Sequence, residues 1–216
     1  MGNPDVGSDS SLKINSIFYT VQGEGFHSGT PAVFIRLSDC NLACSFCDTE
    51  FKYGEQMECL FVLSKVQDVG GSCRFIVLTG GEPAMQDIRP LVDLLREHGY
   101  YVTIETNGMY NLPSTLDWVC VSPKINIKSS RFVVRDADEY KFVVGSNERV
   151  PDISGLRATH YWISPKNESS IGGKIKVGER SCGELNNEAA KYCVQMVKDN
   201  LTFKLSLQTH KYLGIE

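Results

Sequence analysis

The sequence has no apolar run long enough to cross a bilayer, so neither a membrane-spanning segment nor a membrane partner is expected. It also lacks an excess of positive charge. Its 22 Lys and Arg stand against 26 Asp and Glu, a formal net charge of −4, which leaves no basic footprint for nucleic acid. Histidine is scarce at four residues, and none follows the first group of cysteines at zinc-finger spacing. No internal repeat and no long linker interrupt the chain. The polar stretch 1–11 has no apolar signal core and reads as a disordered leader, with residues 12–216 forming a single domain. A chain of 216 residues can bury a full core without disulfides, so its eight cysteines do not read as a secreted disulfide scaffold. A reducing, cytoplasmic setting is the expectation.

What the chain does have is three cysteines within eight positions, in the run Cys40-Asn41-Leu42-Ala43-Cys44-Ser45-Phe46-Cys47. Structural zinc sites draw on paired Cys or Cys/His sets, and scattered core cysteines rarely crowd like this. A 4Fe–4S cluster offers four irons, and three thiolates leave one of them open for a chelating small molecule. That arrangement resembles the signature of radical S-adenosylmethionine (SAM) enzymes. Cys59, Cys73, Cys120, Cys182 and Cys193 lie in helical or strand-like surroundings, where free cysteine behaves as a small core residue.

Runs rich in β-branched and aromatic residues predict strands over 13–20, 32–37, 75–78, 101–105, 118–121, 140–144, 161–163 and 203–207. Apolar residues at helical spacing predict helices near 58–69, around 88–95 with Gly99 as the stop, and over 184–200. The polar segment 167–183 reads as a loop insertion. Strands alternating with helices argue for a parallel α/β sheet. The helices are too few for a complete eightfold barrel, so the expected fold is a partial, reduced TIM-type barrel.

Strand ends carry the polar residues. Thr79-Gly80-Gly81-Glu82-Pro83 follows an apolar strand, and its glycines let backbone approach a ligand while the glutamate accepts from an ammonium. Glu105-Thr106-Asn107-Gly108, Ser122-Pro123-Lys124 and Ser164-Pro165-Lys166-Asn167 close three later strands. In barrel folds, chemistry gathers at such C-terminal strand ends. Upstream, Val21-Gln22-Gly23-Glu24-Gly25 mixes donors and acceptors suited to a heterocycle with an amide and an exocyclic amine. Arg36 offers a planar fork for a carboxylate. A glycyl-radical activating enzyme shares the cysteine spacing but acts on a protein backbone, and this polar set favours a small heterocycle instead. A zinc- or cluster-binding module without catalysis would need neither the strand-end polar array nor the Gly-Gly-Glu-Pro turn.

Taken in order, these motifs and the terminal Leu207-Gln208-Thr209-His210-Lys211 resemble the 7-carboxy-7-deazaguanine synthase family of radical SAM enzymes, from about Ile14 to Glu216. The resemblance implies a lyase of queuosine (7-deazapurine) biosynthesis. A 5′-deoxyadenosyl radical takes a hydrogen atom from C6 of 6-carboxy-5,6,7,8-tetrahydropterin, the ring contracts, ammonia leaves, and SAM is regenerated. It implies a 4Fe–4S cluster on Cys40, Cys44 and Cys47, and SAM beside Phe46, Cys47, Asp48, Gly81, Glu82, Ser122, Pro123, Lys124, Ser164, Pro165, Lys166 and Asn167. It implies substrate beside Val21, Gln22, Gly23, Glu24, Arg36, Thr79 and Glu216, with Glu105 and His210 as catalytic residues. Thr49 is implied as a ligand of Mg²⁺, a hard cation that keeps waters and needs few protein oxygens. A flavodoxin-like electron donor and a homodimer are implied partners. His27, His98 and His160 are expected to pack or face solvent.

Overall fold

The computed structural model describes residues 10–47, 49–166 and 187–215. One nine-stranded sheet organises them, in the order β3-β1-β2-β4-β5-β6-β7-β8-β9. Its strands are β1 (Ser11–Val21), β2 (Pro31–Leu37), β3 (Glu55–Glu58), β4 (Phe75–Gly80), β5 (Tyr101–Thr106), β6 (Trp118–Val121), β7 (Glu139–Val144), β8 (His160–Pro165) and β9 (Phe203–Leu205). From β2 through β4 to β9 every neighbouring pair is parallel, while β1 is antiparallel to β2 and to β3. The sheet ends on β3 at one side and β9 at the other, so the barrel is partial, as expected.

Four helices, α1 (Cys59–Gly70), α2 (Arg89–Glu97), α3 (Asn187–Asp199) and α4 (Thr209–Leu213), accompany it. In α1 the buried residues Cys59, Val62, Leu63 and Val66 fall at helical spacing, so one stripe faces the sheet. Gly71 ends the helix at a positive φ of 54°. Pro90 sits in the first turn of α2, where its missing N–H costs nothing, and Leu91, Val92 and Leu95 are buried. These two helices and the outer faces of β1, β2, β4 and β5 form one apolar cluster. A second cluster joins α3, through Cys193 and Met196, to Tyr140, Phe142, Ile163 and Phe203. Of the remaining cysteines, Cys59, Cys120 and Cys193 are buried and Cys73 is partly so, while Cys182 lies outside the described residues.

Several expectations are adjusted. The expected leader reaches residue 11, but Ser11 already belongs to β1, paired with Glu58 of β3; residues 1–9 lie outside the described set. The expected loop 167–183 also lies outside it. Strand β3 is an addition to the expected strands, because Glu55-Gln56-Met57-Glu58 has no apolar alternation; it pairs at the edge with β1, and Met57 packs on the first apolar cluster. Helix α4 is five residues long and has no buried residue, too little signal to read from sequence.

The inner face of the sheet has two ends. At the N-terminal ends of the parallel strands, the β1–β2 loop turns inward as a plug. Phe26 stacks on Trp118 (4.9 Å) and His160 (4.7 Å), and His27 packs edge-on against Trp118 (4.7 Å) and tilted against Phe75 (4.8 Å). Buried Glu139 fastens the plug, accepting from the Phe26 N–H (2.9 Å), Trp118 Nε1 (3.2 Å) and Trp162 Nε1 (2.6 Å). His27 and His160 are thus packing residues, and His98 takes a bond with the Leu94 carbonyl (2.8 Å) at the end of α2. Among the described residues, the opposite, C-terminal ends of the strands are left open.

Candidate active site

The open end holds a cavity of about 210 Å³. One wall is the cysteine loop that follows β2, contributing Cys40, Cys44, Phe46, Cys47 and Thr49. The other walls are strand ends: Thr79 to Glu82 at the end of β4, Glu105 to Asn107 at the end of β5, Ser122 and Lys124 after β6, Lys141 and Val143 on β7, and Ser164 and Pro165 on β8. Glu24 from the plug and Gln208 from the tail complete the lining.

The two glycines at the end of β4 explain why the cysteine loop sits where it does. Gly80 has a φ of 124°, and a Cβ there would overlap the Leu37 backbone. A Cβ on Gly81 would overlap the Asp39 carbonyl. That close approach lets Gly81 N–H reach Leu37 O (3.0 Å) and Glu82 N–H reach Asp39 O (2.9 Å), which pins the start of the loop to β4. Glu82 itself is buried and accepts from Thr106 Oγ1 (2.6 Å), Asn107 N–H (2.6 Å) and Ala84 N–H (3.1 Å). Burial pushes its carboxyl up, against the pull of those donors. Asn107 then donates to Asn41 Oδ1 (2.9 Å). Thr106 and Asn107 therefore brace the cysteine loop from the cavity wall, and Glu105 reaches the cavity floor.

That floor is ionic. Lys141, buried, forms an ion pair with Glu24 Oε2 and stands 3.6 Å from Glu105 Oε1. Gln22 Nε2 donates to Glu105 Oε1 (3.0 Å), and its own oxygen accepts the Glu24 N–H (3.1 Å). Gln208 Nε2 donates to Glu24 Oε1 (2.8 Å), and the Thr209 N–H reaches Gly23 O (3.0 Å), so the tail locks onto the plug. Burial works against charge on Glu24, but the Lys141 ammonium overrides it and holds the carboxyl well below its usual range. Lys141 is correspondingly raised: burial lowers it, and Glu105 and Glu24 outweigh that. Burial and Lys141 together lower Lys124, whose Nζ donates to Ser122 Oγ (2.7 Å) and lies 5.5 Å from the Phe46 ring.

Most of the expected site is brought together here. Val21, Gln22, Gly23, Arg36, Pro123, Lys166 and His210 are not among the lining residues. Gly23 packs directly on the His210 ring, Lys166 Nζ lies 4.8 Å from the Phe46 ring, and Arg36 pairs with Thr79 across β2 and β4 while its guanidinium covers Phe18 at 4.7 Å. Val21 pairs with Pro31 at the plugged end of the sheet. Asp48, Asn167 and Glu216 lie outside the described residues. Lys141 and Gln208 are additions to the expected lining. Lys141 could have been found as a single cation in the strand Glu139-Tyr140-Lys141-Phe142-Val143-Val144, where alternation sets it on the face opposite Tyr140 and Phe142.

The donor set suits an iron–sulfur cluster. Cys40, Cys44 and Cys47 are reduced thiols, partly or fully accessible, on one wall of one cavity. The Cys47 N–H bonds Cys44 O (3.1 Å), folding the last two onto one turn. Among the described residues no group of three Cys, His, Asp or Glu is already assembled around a metal position, and the thiols would ionise on binding one. Burial keeps the Cys40 thiol raised without metal.

An open α/β sheet with a three-cysteine loop behind its first parallel strand defines the radical SAM class, and the Radical SAM superfamily model matches residues 35–120. The chain is 41% identical to the 7-carboxy-7-deazaguanine synthase of Bacteroides thetaiotaomicron, over 94% of this chain and 98% of that one. The synthase of Nitratidesulfovibrio vulgaris is 35% identical over 95% and 99%. The crystal structure of QueE from Escherichia coli superposes with a TM-score of 0.67 at 26% identity, covering 91% of this chain and 93% of that one. The chain belongs to the 7-carboxy-7-deazaguanine synthase family. No helix among the described residues is long and apolar enough to cross a membrane.

Proposed function

We propose that the chain converts 6-carboxy-5,6,7,8-tetrahydropterin to 7-carboxy-7-deazaguanine, in deazapurine (queuosine) biosynthesis. One observation carries the reading: a wall of three thiols and an ionic floor of Glu24, Lys141 and Glu105 face each other across one cavity. Cys40, Cys44 and Cys47 would hold a 4Fe–4S cluster, and Thr49, on the same wall, would ligate Mg²⁺. When bound, cluster and SAM supply a 5′-deoxyadenosyl radical, the species that removes the C6 hydrogen.

The protein's part is placement. Gly81 borders SAM on the cavity wall, while Phe46, Glu82, Ser122, Pro123, Lys124, Ser164, Pro165 and Lys166 form its surroundings, with Asp48 and Asn167 assigned there by family likeness. Glu105 presents an acceptor to the N–H edge of the pterin. Gln22, Gly23 and Glu24 frame that edge, and Arg36 and Thr79 border the carboxylate side. Val21, His210 and Glu216 are assigned to the substrate by family likeness. The plug keeps bulk water from the floor through the stacked rings of Phe26, Trp118 and His160. Residues 12–216 act as one domain, the protein works as a homodimer in the cytoplasm, and a flavodoxin delivers the electron.

The test is a substrate comparison. The anaerobically reconstituted chain is given SAM, reductant and Mg²⁺ with either the carboxylated pterin or a glycine-containing peptide. 7-Carboxy-7-deazaguanine by mass spectrometry from the pterin is the expected result. A glycyl radical on the peptide, with no deazaguanine from the pterin, overturns the assignment.

A further inference from the structure

Lys141 is a buried cation with no part in the chemistry assigned so far. Its side chain is 6% exposed, yet it lies on the cavity lining at the middle of β7. Three elements converge on its ammonium: the plug through Glu24, β5 through Glu105, and β6 through the buried thiol of Cys120. The two oxygens of Glu105 are treated differently. Oε1 is engaged by Lys141 (3.6 Å) and Gln22 Nε2 (3.0 Å), whereas Oε2 accepts no hydrogen bond among the described residues. Both oxygens of Glu24 are engaged, one by Lys141 and one by Gln208. The engaged oxygens leave Glu105 Oε2 as the open acceptor of the floor, whose charges are those of Glu24, Glu105, Lys141 and, beside them on the lining, Lys124.

We propose that Lys141 is a positioning residue for the pterin: by holding Glu105 through one oxygen, and anchoring itself on Glu24, it fixes the other Glu105 oxygen as the acceptor for the donor edge of the bound heterocycle. The proposal rests on the function given above. A carboxylate tethered at one oxygen loses rotational freedom before the ligand arrives, so less ordering is required on binding. A buried lysine is an unfavourable packing choice on its own, since replacing a buried ion pair with apolar groups is often neutral or stabilising. A role in the site accounts for a cation at a place where stability alone does not require one.

The experiment measures equilibrium binding of 7-carboxy-7-deazaguanine, which carries the same donor edge, by calorimetry. It compares the wild type, Glu24→Gln, Lys141→Met and the double variant, with foldedness checked by tryptophan fluorescence. KM and kcat for the pterin are taken in parallel. The proposal predicts that Lys141→Met weakens product binding by about tenfold, the effect of one mispositioned charge-assisted hydrogen bond, and raises KM more than it lowers kcat. Lys141→Met leaves Glu24 buried without its cation and can fail to fold. The double variant removes that unpaired charge, so its binding is compared with that of Glu24→Gln alone. About tenfold weaker binding in the double than in Glu24→Gln supports the positioning role. Equal binding by those two folded variants makes Lys141 a charge partner of Glu24 only and overturns the proposal. Weakened product binding in variants of a wild type that does not turn over the pterin supports the positioning role while rejecting the reaction.

Discussion

Glu139 is the sharpest place to perturb the architecture, because one carboxylate ties the Phe26 N–H of the plug to the indole N–H groups of two sheet tryptophans, Trp118 and Trp162. Glu139→Gln keeps the shape and replaces one acceptor oxygen with an NH₂ group. If the amide oxygen takes the position that serves Phe26 N–H (2.9 Å) and Trp162 Nε1 (2.6 Å), the Trp118 Nε1 donor at 3.2 Å faces another donor. An unsatisfied buried donor costs about 1–3 kcal/mol, and the two surviving bonds lose their charge assistance, so the total is about 2–4 kcal/mol. Against a typical domain stability of about 5–15 kcal/mol that is a large fraction. Urea unfolding of the metal-free chain should show it as a midpoint lowered by about 1 M at unchanged slope. The chain's two tryptophans, Trp118 and Trp162, both bond Glu139, so their fluorescence reports on this contact directly. A Glu139→Gln variant that unfolds at the wild-type urea concentration, with unaltered emission, refutes the claim that Glu139 anchors the plug.

Other outcomes follow from the site. Gly81→Ala puts a methyl into the Asp39 carbonyl and displaces the cysteine loop, so iron and acid-labile sulfide after anaerobic reconstitution should fall to a small fraction of wild type; full loading would show that the close approach is not needed. Thr49→Ala should weaken the response to added Mg²⁺ while leaving cluster content intact, and an unaltered Mg²⁺ titration removes Thr49 as a ligand. The stability contributed by Glu24 is full above its ordinary value of 4.5 and is lost as pH falls toward about 2, because its folded-state carboxyl is depressed, burial being outweighed by Lys141. The stability gap between wild type and Glu24→Gln should therefore narrow across that acid range, and a gap that widens there contradicts the ion pair. His210→Ala should raise KM for the pterin more than the Kd for SAM, since Gly23 packs on its ring at the plug; equal effects on both ligands count against that assignment.

Much of this is readable in the sequence because the signals are local. β-Branched runs mark eight strands close to their observed bounds, and apolar residues at helical spacing mark α1, α2 and α3. The cysteine spacing and the Gly-Gly-Glu-Pro turn point to the site, since both need particular residues at particular places. What escapes is non-local. The edge strand β3 depends on pairing with β1, and the inward turn of the plug depends on Trp118, Glu139 and His160 from three distant strands. Asn107, whose amide suits a ligand as well as Glu105 does, instead braces Asn41 and joins Thr106 in holding Glu82. Lys141 looks like an ordinary strand residue until the sheet brings Glu24 and Glu105 to it.

The most direct measurement is anaerobic product formation from the carboxylated pterin with SAM, reductant and Mg²⁺, by the reconstituted wild type beside Cys44→Ala. The account predicts 7-carboxy-7-deazaguanine from the wild type and none from the variant. Product from both, or none from a wild type shown to hold its iron and sulfide, contradicts it.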